Sequence, residues 1–375
     1  MNFDFSEDMD MLREQARRML QQKCPTSAVR RVLEGKDTFD RKLWKEIAQV
    51  GWTGTAIPEA YGGAGLGYEG LCVLAEELGR VAAPVPFASS VYLATEAILA
   101  HGTDAQKAAW LPRLAAGEVI GAFALAEGLG NPAAAAVHAR VEGGRLSGTK
   151  WPVMDGGIAD FAVVVANDDA GTPALYLVDL AAAGVTRAPL ETVDPTRAQA
   201  RIVFEAAPAE KLAGGEAGWA PVERLLCKAA VLLAFEQVGG AAACVEMGTA
   251  YAKERIAFGR PIGSFQAIKH KLADMYTATE LARSNAYYGA WALDADAPEL
   301  PLAAAAASVS ATEAFRFASR ENIQTHGGMG FTWELDCHLY FRRAGTLAMQ
   351  LGSVAYWKDR LVTCWADSSA AGAAN

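Results

Sequence analysis

The stretch RIAFGRPIGSFQAIKHKLADM, residues 255–275, stands out in a chain of otherwise ordinary composition. Arg255 and Arg260 accompany a tight Phe-Gly-x-Pro turn, and the apolar spacing after it predicts a helix that begins at Ser264. The first N–H groups of a helix have no partner within the helix, and together with the helix dipole they attract anions. The pattern therefore predicts a phosphate or diphosphate site; the alternative is a charged helix end followed by an ordinary turn.

A second stretch, QTHGGMGFTWE at residues 324–334, follows a long predicted helix. Its three glycines permit positive φ angles and let the backbone approach a ligand closely. His326 lies inside this stretch, where it can either donate to a phosphate or face solvent. Taken alone, the stretch is equally consistent with a helix end and a loop.

The chain around these stretches divides into three zones. Residues 1–118 and 218–375 consist of helix-length segments, and those of the C-terminal zone run up to Arg255, from Phe265 to Leu293 and from Pro301 to Gln324. Residues 119–217 instead contain short β-branched or alternating segments, namely VHARV, GRLSG, FAVVV, ALYLV and ARIVF. Strands clustered between helical zones predict an inserted β domain of sandwich or barrel type. Long alanine-rich helices predict an antiparallel bundle.

Composition limits the classes of function. The 375 residues are 52% hydrophobic and 21% charged, and the formal charge of −9 argues against nucleic acid or an anionic membrane as the main partner. No uncharged apolar run approaches the ~18 residues that a membrane helix needs, and the acidic start does not resemble a secretory signal. We therefore expect a cytoplasmic protein without membrane insertion. The cysteines and histidines lack metal-ligand spacing, so no metal site is expected.

In this order, and behind a β zone, the two stretches resemble the FAD-contacting signatures of the acyl-CoA dehydrogenase family of flavoproteins. The segment EAYGGAGLGYEGLCVLAEELGR, residues 59–80, resembles that family's N-terminal loop and helix, so the resemblance covers essentially the whole chain. It implies a mostly α protein with an inserted β domain. The expected parts are an N-terminal helical domain (1–118), a middle β sandwich or barrel (119–217) and a C-terminal four-helix bundle (218–375).

The resemblance also implies which residues contact FAD. They are Arg255, Phe258, Gln266, Gln324, Gly327, Gly328 and, beside the flavin ring, Trp151. Arg255 and Phe258 would meet the pyrophosphate, and Gln266 would lie near the adenine end. In the family, the C-terminal members of this set reach across a dimer interface to an FAD that lies mainly on the neighbouring subunit.

Family members remove two hydrogens from an acyl-CoA thioester: a glutamate takes the α proton, and the β hydrogen leaves as hydride to the flavin. Two hydroxyl side chains that the family has near the flavin are replaced here by Ala126 and Val153, although the glutamate that follows the first of them is retained as Glu127. Leu351 occupies the usual position of the glutamate, and Ala229 occupies the position that a minority of members use instead. The trans-acting motifs are thus retained, while the residues that would hold the flavin ring and abstract the proton are lost.

The leading hypothesis is a subunit that completes the FAD site of a second, base-bearing chain. It resembles the chain without the catalytic glutamate in heteromeric bacterial members of the family, some of which act on steroid side-chain CoA esters. The expected partners are an acyl-CoA, that second family subunit (α2β2) and an electron-acceptor flavoprotein. The alternatives are a homotetramer with a relocated base at Glu236 or Glu127, a flavin-dependent monooxygenase on the same scaffold, and a non-catalytic assembly module. An interhelical or capping contact is the favoured role for Glu236.

Overall fold

Helices account for most of the ordered chain. The computed structural model describes residues 5–216 and 218–373, with side chains to Asp367. The α-helices in these residues are α1 Glu7–Lys23, α2 Thr26–Leu33, α3 Arg41–Gln49, α4 Gly67–Arg80, α5 Glu96–His101, α6 Asp104–Ala115, α7 Trp219–Glu254, α8 Gln266–Asp294, α9 Leu300–His326, α10 Cys337–Leu347 and α11 Val354–Ala373.

The strands cluster between α6 and α7. They are β1 Gly121–Ala124, β2 Arg140–Glu142, β3 Arg145–Met154, β4 Phe161–Asn167, β5 Pro173–Asp179, β6 Val185–Leu190, β7 Gln199–Pro208 and β8 Glu210–Lys211, and a separate hairpin of β9 Ile256–Ala257 and β10 Arg260–Pro261 follows α7. The contacts divide the chain into two units. The helical unit comprises Met1–Val29, Cys72–Ala83 and Ala230–Asn375, and the sheet unit comprises Arg30–Leu71 and Pro84–Ala229.

A mixed sheet of eight strands forms the centre of the sheet unit. Its order is β6-β7-β3-β2-β4-β5-β8, and β1 pairs in parallel with β4. Strand β4 is buried along nearly all its length, and the Trp110 ring of α6 lies 4.4 Å from its Phe161 ring. The ladder between β3 and β7 shifts register between Lys150 and Val153, where Pro152 has no N–H to donate.

Close helix packing characterises the helical unit. A Cβ added to Gly79 of α4 would lie 1.9 Å from the carbonyl oxygen of Glu236, and one added to Gly239 of α7 would lie 1.9 Å from that of Glu76. The two helix backbones therefore touch where they cross, which only glycine permits. Helices α8 and α9 pack on α7 through small residues in the same way, for example Gly289 against Val231.

These elements confirm the predicted fold class, a helical protein with an inserted β domain and a C-terminal helical bundle. The sequence Glu142–Gly144 predicts a hairpin turn, and it joins β2 to β3 with positive φ at Gly143 (54°) and Gly144 (74°). The sequence also predicts a helix at about residues 88–100, and the structure has a buried π-helix there, Ala88–Thr95, that continues into α5. The hydroxyl of Thr95 donates to the Ser90 carbonyl and supports this wider turn. The domain boundaries at 118/119 and 217/218 stay predictions.

Within the described residues, α7 is the one helix long and apolar enough to cross a membrane by length and composition. Of its most apolar window, 94% is buried inside the protein, as in the core helix of a globular domain.

Candidate functional site

The Arg255 turn, residues 255–262, presents the first predicted FAD-contacting side chains. Helix α7 ends at Glu254, and the β9–β10 hairpin follows at once, with positive φ at Phe258 (52°) and Gly259 (80°). The Ile262 N–H donates to the Arg255 carbonyl at 2.8 Å and closes the turn. Phe258 is 95% exposed at the hairpin tip, and Arg255 is also exposed. The turn therefore offers a guanidinium group and an aromatic ring at the surface.

The start of α8 lies directly after this turn. Gln266 is its first residue and is exposed, and no side chain caps the helix through Phe265, the residue before it. The Arg260 guanidinium instead lies over the Phe265 ring, 4.1 Å from its centroid. The first turn of this 29-residue helix thus begins beside the Arg260 guanidinium without a side-chain cap.

The glycine turn, residues 327–331, ends α9. Gly327 has a φ of 60°, and a Cβ built on Gly327 or Gly328 would meet no atom within 4 Å. Gln324 is exposed in the last turn of α9. Gly330 is required for a different reason, since a Cβ there would lie 2.4 Å from the Ile323 carbonyl oxygen. Bare, open backbone at two consecutive glycines suits the close approach of a ligand.

The helix ends that carry the Arg255 turn and the glycine turn contact each other in the helical unit. The Tyr251 ring, in the last turn of α7, stacks on the His326 ring at the end of α9 with centroids 4.1 Å apart. Lys271 of α8 forms a salt bridge with Glu321 of α9 at 2.6 Å, which joins α8 to the C-terminal part of α9. This arrangement combines a guanidinium group, a helix start and exposed glycine backbone, which is the donor set that a diphosphate requires. The FAD contacts themselves remain predictions.

Trp151, the remaining predicted contact, belongs to the sheet unit. Its backbone N–H donates to the Ala126 carbonyl at 2.8 Å, and its side chain is half-buried. The neighbouring Glu127 carboxylate accepts from the N–H groups of His138 (3.0 Å) and Ala139 (2.9 Å) and from the Lys150 ammonium group (2.6 Å). Because all of these interactions hold one carboxylate, Glu127 is built into the loop as a structural group.

Lys150 is a residue that the sequence analysis missed. Its side chain is completely buried, and burial lowers the pKa of its ammonium group despite the Glu127 carboxylate that opposes this shift. Lys150 lies an even number of residues from Leu146 on β3, so both side chains face the same buried side. Strand alternation was therefore the signal that could have identified it.

Glu236, the weak candidate for a relocated base, pairs with Arg343. The Oε1–Nη1 distance is 3.3 Å, and both side chains are only 1% exposed. Arg343 also donates to the carbonyls of Ala82 (3.1 Å) and Ala83 (3.4 Å). The sequence predicts a solvated or salt-bridged helix face at Arg342–Arg343, and Arg343 is salt-bridged. This environment also favours the structural role that the sequence analysis preferred for Glu236.

The other buried carboxylates are partnered as well. The buried acidic residues in the described chain are Glu76, Glu77, Glu96, Asp155, Asp194 and Glu236. Glu77 pairs with Arg17, Asp155 accepts from the Ser89 hydroxyl, and Asp194 accepts from the Thr196 hydroxyl.

Glu76 shows the strongest pairing of this set. Burial raises the pKa of its carboxyl group, but the guanidinium groups of Arg283 and Arg13 outweigh that effect and hold the pKa below its usual value. A carboxylate held in this way is a poor proton acceptor.

Apolar side chains fill both family positions for the base. Leu351 is buried in the loop between α10 and α11, beside Gly352 with a φ of 112°. Ala229 is completely buried in α7, in the part that belongs to the sheet unit. The preceding residue, Lys228, forms a salt bridge with Glu96 at 2.6 Å, and the Tyr68 hydroxyl donates to the same carboxylate.

His326 is only 8% exposed, so it is not the solvent-facing loop residue that was one of its two expected roles. Nδ1 lies 2.8 Å from the Asn322 carbonyl, and because a carbonyl only accepts, Nδ1 carries the proton. Across residues 5–216 and 218–373, no three His, Cys, Asp or Glu side chains come together as metal ligands would.

Comparison with known proteins gives the family. A profile described as "Acyl-CoA dehydrogenase, N-terminal domain" matches residues 6–118, and one described as "Acyl-CoA dehydrogenase, C-terminal domain" matches residues 216–360. The acyl-CoA dehydrogenase IpdE2 of Mycobacterium tuberculosis is 34% identical over 348 residues, which cover 92% of this chain and 94% of that protein. The chain therefore belongs to the acyl-CoA dehydrogenase family of oxidoreductases, whose members bind FAD.

Two solved structures are similar over nearly their full length. One is described as a variant of the Tcur3481-Tcur3483 steroid ACAD (34% identity, TM-score 0.87, 97% of this chain and 99% of that chain). The other is the ChsE4-ChsE5 complex from Mycobacterium tuberculosis (28% identity, TM-score 0.89, 98% of this chain and 99% of that chain).

Proposed function

We propose that this chain is the subunit without the catalytic base in a heteromeric acyl-CoA dehydrogenase, and that it completes an FAD site on a base-bearing partner of the same family. One observation carries the proposal. The exposed Arg255 turn and glycine turn are intact, whereas each buried carboxylate of the described chain has a partner and both base positions are apolar. This combination fits a chain that contributes to FAD binding and leaves proton abstraction to another subunit.

The division of labour follows from the residues present. FAD, when bound, accepts the β hydrogen of the acyl-CoA as hydride. Arg255, the start of α8 and the backbone of Gly327 and Gly328 would hold the diphosphate of an FAD that lies mainly on the partner. The partner's carboxylate would take the α proton, a role that needs a desolvated and unpaired base.

Names of similar proteins support the class of substrate and assembly. One similar structure is described as a steroid acyl-CoA dehydrogenase, and another is a complex of two named proteins. We therefore infer an acyl-CoA ester of steroid type as the substrate, an α2β2 assembly and a cytoplasmic location. An electron-transferring flavoprotein is the inferred acceptor, since a chain in a structure of that description is 27% identical, with a TM-score of 0.90.

The alternatives require features that the chain does not offer. A homotetramer with a relocated base needs a carboxylate free of cations, but Lys150 holds Glu127 and Arg343 holds Glu236. A monooxygenase needs no α-proton base, yet no residue described here favours oxygen chemistry over dehydrogenation. We retain the heteromeric dehydrogenase as the single proposal.

The stoichiometry of FAD tests this proposal. The chain should be purified alone and after co-expression with a base-bearing family member from the same genome. We expect little FAD and no acyl-CoA oxidation with an artificial acceptor from the chain alone. The complex should hold about one FAD per two chains and be active. A homo-oligomer that holds one FAD per chain and oxidises acyl-CoA unaided would refute the proposal.

Arg255→Ala tests the trans surface directly. Loss of a charge-assisted contact worth roughly 1.5–3 kcal/mol should weaken FAD binding in the complex by about one to two orders of magnitude. Arg201→Ala is the matched control, since Arg201 is an exposed arginine on β7 of the sheet unit. Unchanged FAD affinity in Arg255→Ala would contradict the assignment of this surface.

A further inference from the structure

The Arg255 turn and the glycine turn come from chain segments about seventy residues apart, and each is anchored by one aromatic residue. Tyr251 is half-buried in the last turn of α7, and its carbonyl accepts the Arg255 N–H at 2.8 Å. His326 is the last residue of α9, directly before Gly327. Each aromatic residue is therefore joined through a few backbone bonds to the group that would meet the diphosphate.

The two rings form one contact across the helices. Their centroids are 4.1 Å apart with an angle of 28° between the planes, which is a stacked geometry. The Nδ1–H group of His326 donates to the Asn322 carbonyl, so a hydrogen bond and a stack both fix the imidazole plane. Asn322 also faces α7, because its side-chain amide nitrogen lies 3.9 Å from Met247 Sδ.

We propose that Tyr251 and His326 are positioning residues, whose ring stack fixes the distance between the Arg255 guanidinium and the backbone of Gly327–Gly328. This inference rests on the proposed function. The Phe258 ring lies 6.1 Å from the Phe265 ring, and Gly330 packs against the Ile323 carbonyl, so each turn is held to its own helix. These contacts do not join one turn to the other, whereas the Tyr251–His326 stack does. A diphosphate that bridges both turns needs them at one spacing, and the stack supplies that constraint before the ligand binds.

Paired variants separate the ring contact from the ring nitrogens. In the complex with its base-bearing partner, His326→Leu and Tyr251→Leu should each weaken FAD binding about tenfold, because the aromatic contact is lost while apolar volume is kept. His326→Phe and Tyr251→Phe keep a stack and should stay within about twofold of the unmodified complex. His270→Leu is the control, since His270 is exposed on α8. Equal losses in His326→Phe and His326→Leu would overturn the proposal in favour of a direct contact from the imidazole.

A double variant tests whether the stack acts through Arg255. If His326 positions Arg255, then His326→Leu should weaken FAD binding by no more than about twofold in the Arg255→Ala background. Fully multiplicative losses would overturn the proposal. Arg255→Ala alone reports on the proposed function, so an unchanged affinity in that single variant would refute the FAD surface itself.

Amide hydrogen exchange tests the stack in the chain alone, without partner or FAD. His326→Leu should increase exchange about tenfold in residues 256–264, which lie across the stack on the α7 side, and His326→Phe should not. Faster exchange confined to residues 324–331 would show that the stack does not hold the Arg255 turn, and would overturn the proposal even if the Leu variants bind FAD poorly.

Discussion

Removal of Glu236 should destabilise the helical unit without touching the chemistry of the assembled enzyme. Glu236→Leu leaves the Arg343 guanidinium buried without its carboxylate, and breaking a buried pair in this way typically costs about 3–5 kcal/mol. Arg343 keeps the carbonyls of Ala82 and Ala83 as acceptors, which places the expected loss near the lower end, about 3 kcal/mol. For a chain of this size we expect the Tm to fall by about 5 °C.

Replacement of both partners should restore part of the stability. In Glu236→Leu/Arg343→Met no charge is left buried, but the carbonyls of Ala82 and Ala83 lose their Arg343 donor, so the free energy of unfolding should return to within about 2 kcal/mol of the unmodified value. Thermal and urea unfolding, followed by circular dichroism, measure this double-variant cycle. Glu313→Gln is the control, because Glu313 and its partner Lys358 are both 54% exposed and their pairing contributes little. The activity of the complex should be unchanged in Glu236→Gln.

Two outcomes would refute this reasoning. Additive losses in the double variant would mean that Glu236 and Arg343 stabilise the fold independently. A collapse of kcat in Glu236→Gln, with folding and FAD content intact, would make Glu236 a base and would favour the relocated-carboxylate hypothesis.

Three further perturbations follow from the same structure. Lys150→Met leaves the Glu127 carboxylate with its two backbone donors but without a cation, and should cost about 3 kcal/mol in unfolding free energy. Urea unfolding measures this loss, and no change would contradict the structural role of Lys150. Arg283 and Arg13 lower the pKa of Glu76, so the stability that ionised Glu76 contributes is complete above the unfolded pKa of about 4.3 and is lost as pH falls through the folded pKa. Glu76→Gln should therefore flatten the decline in unfolding free energy between about pH 5 and pH 2. Parallel curves of unfolding free energy against pH for the variant and the unmodified protein would count against this. Leu351→Glu places a carboxylate in a buried site, where its pKa should rise because burial disfavours the charged form. The variant should therefore lose more stability at pH 8, where the carboxylate is ionised, than at pH 5. The chain alone should still show no dehydrogenation.

Local signals in the sequence predicted most of the fold. Glycines with positive φ at Gly143 and Gly144 made the β2–β3 hairpin readable, and Gly327 marked the end of α9, because these conformations exclude most other residues. Features that depend on contacts between distant residues could not be predicted from the sequence. Arg343 meets Glu236 across 107 residues, and no local pattern distinguishes a buried arginine from an exposed one. The π-helical turn within residues 88–95 was missed as well, because the bond from the Thr95 hydroxyl to the Ser90 carbonyl that supports it is visible only in the structure.

For the candidate site, too, local motifs could be predicted from the sequence and contacts between distant residues could not. The Arg255 turn and the glycine turn are short motifs that can be recognised in the sequence, and the anion site that they indicate together stays a prediction. Their proximity, and the stack of Tyr251 on His326 that joins them, are properties of three packed helices and required the structure. The partners of Glu127 and Glu236 likewise appeared only when burial and distances were known.

The helical unit is assembled from three separate stretches of chain, and this has a consequence for synthesis on the ribosome. Glu76 and Glu77 of α4 can pair with Arg13 and Arg17 of α1 as soon as α4 is made, but residues 84–229 of the sheet unit must be made before the helical-unit part of α7 can pack on α4. At roughly 5–20 residues per second, that interval lasts on the order of ten to thirty seconds. During it, the face of α4 that α7 will cover stays open to solvent. Heterologous expression should therefore gain from co-expressed chaperones that cover this face until α7 has been made.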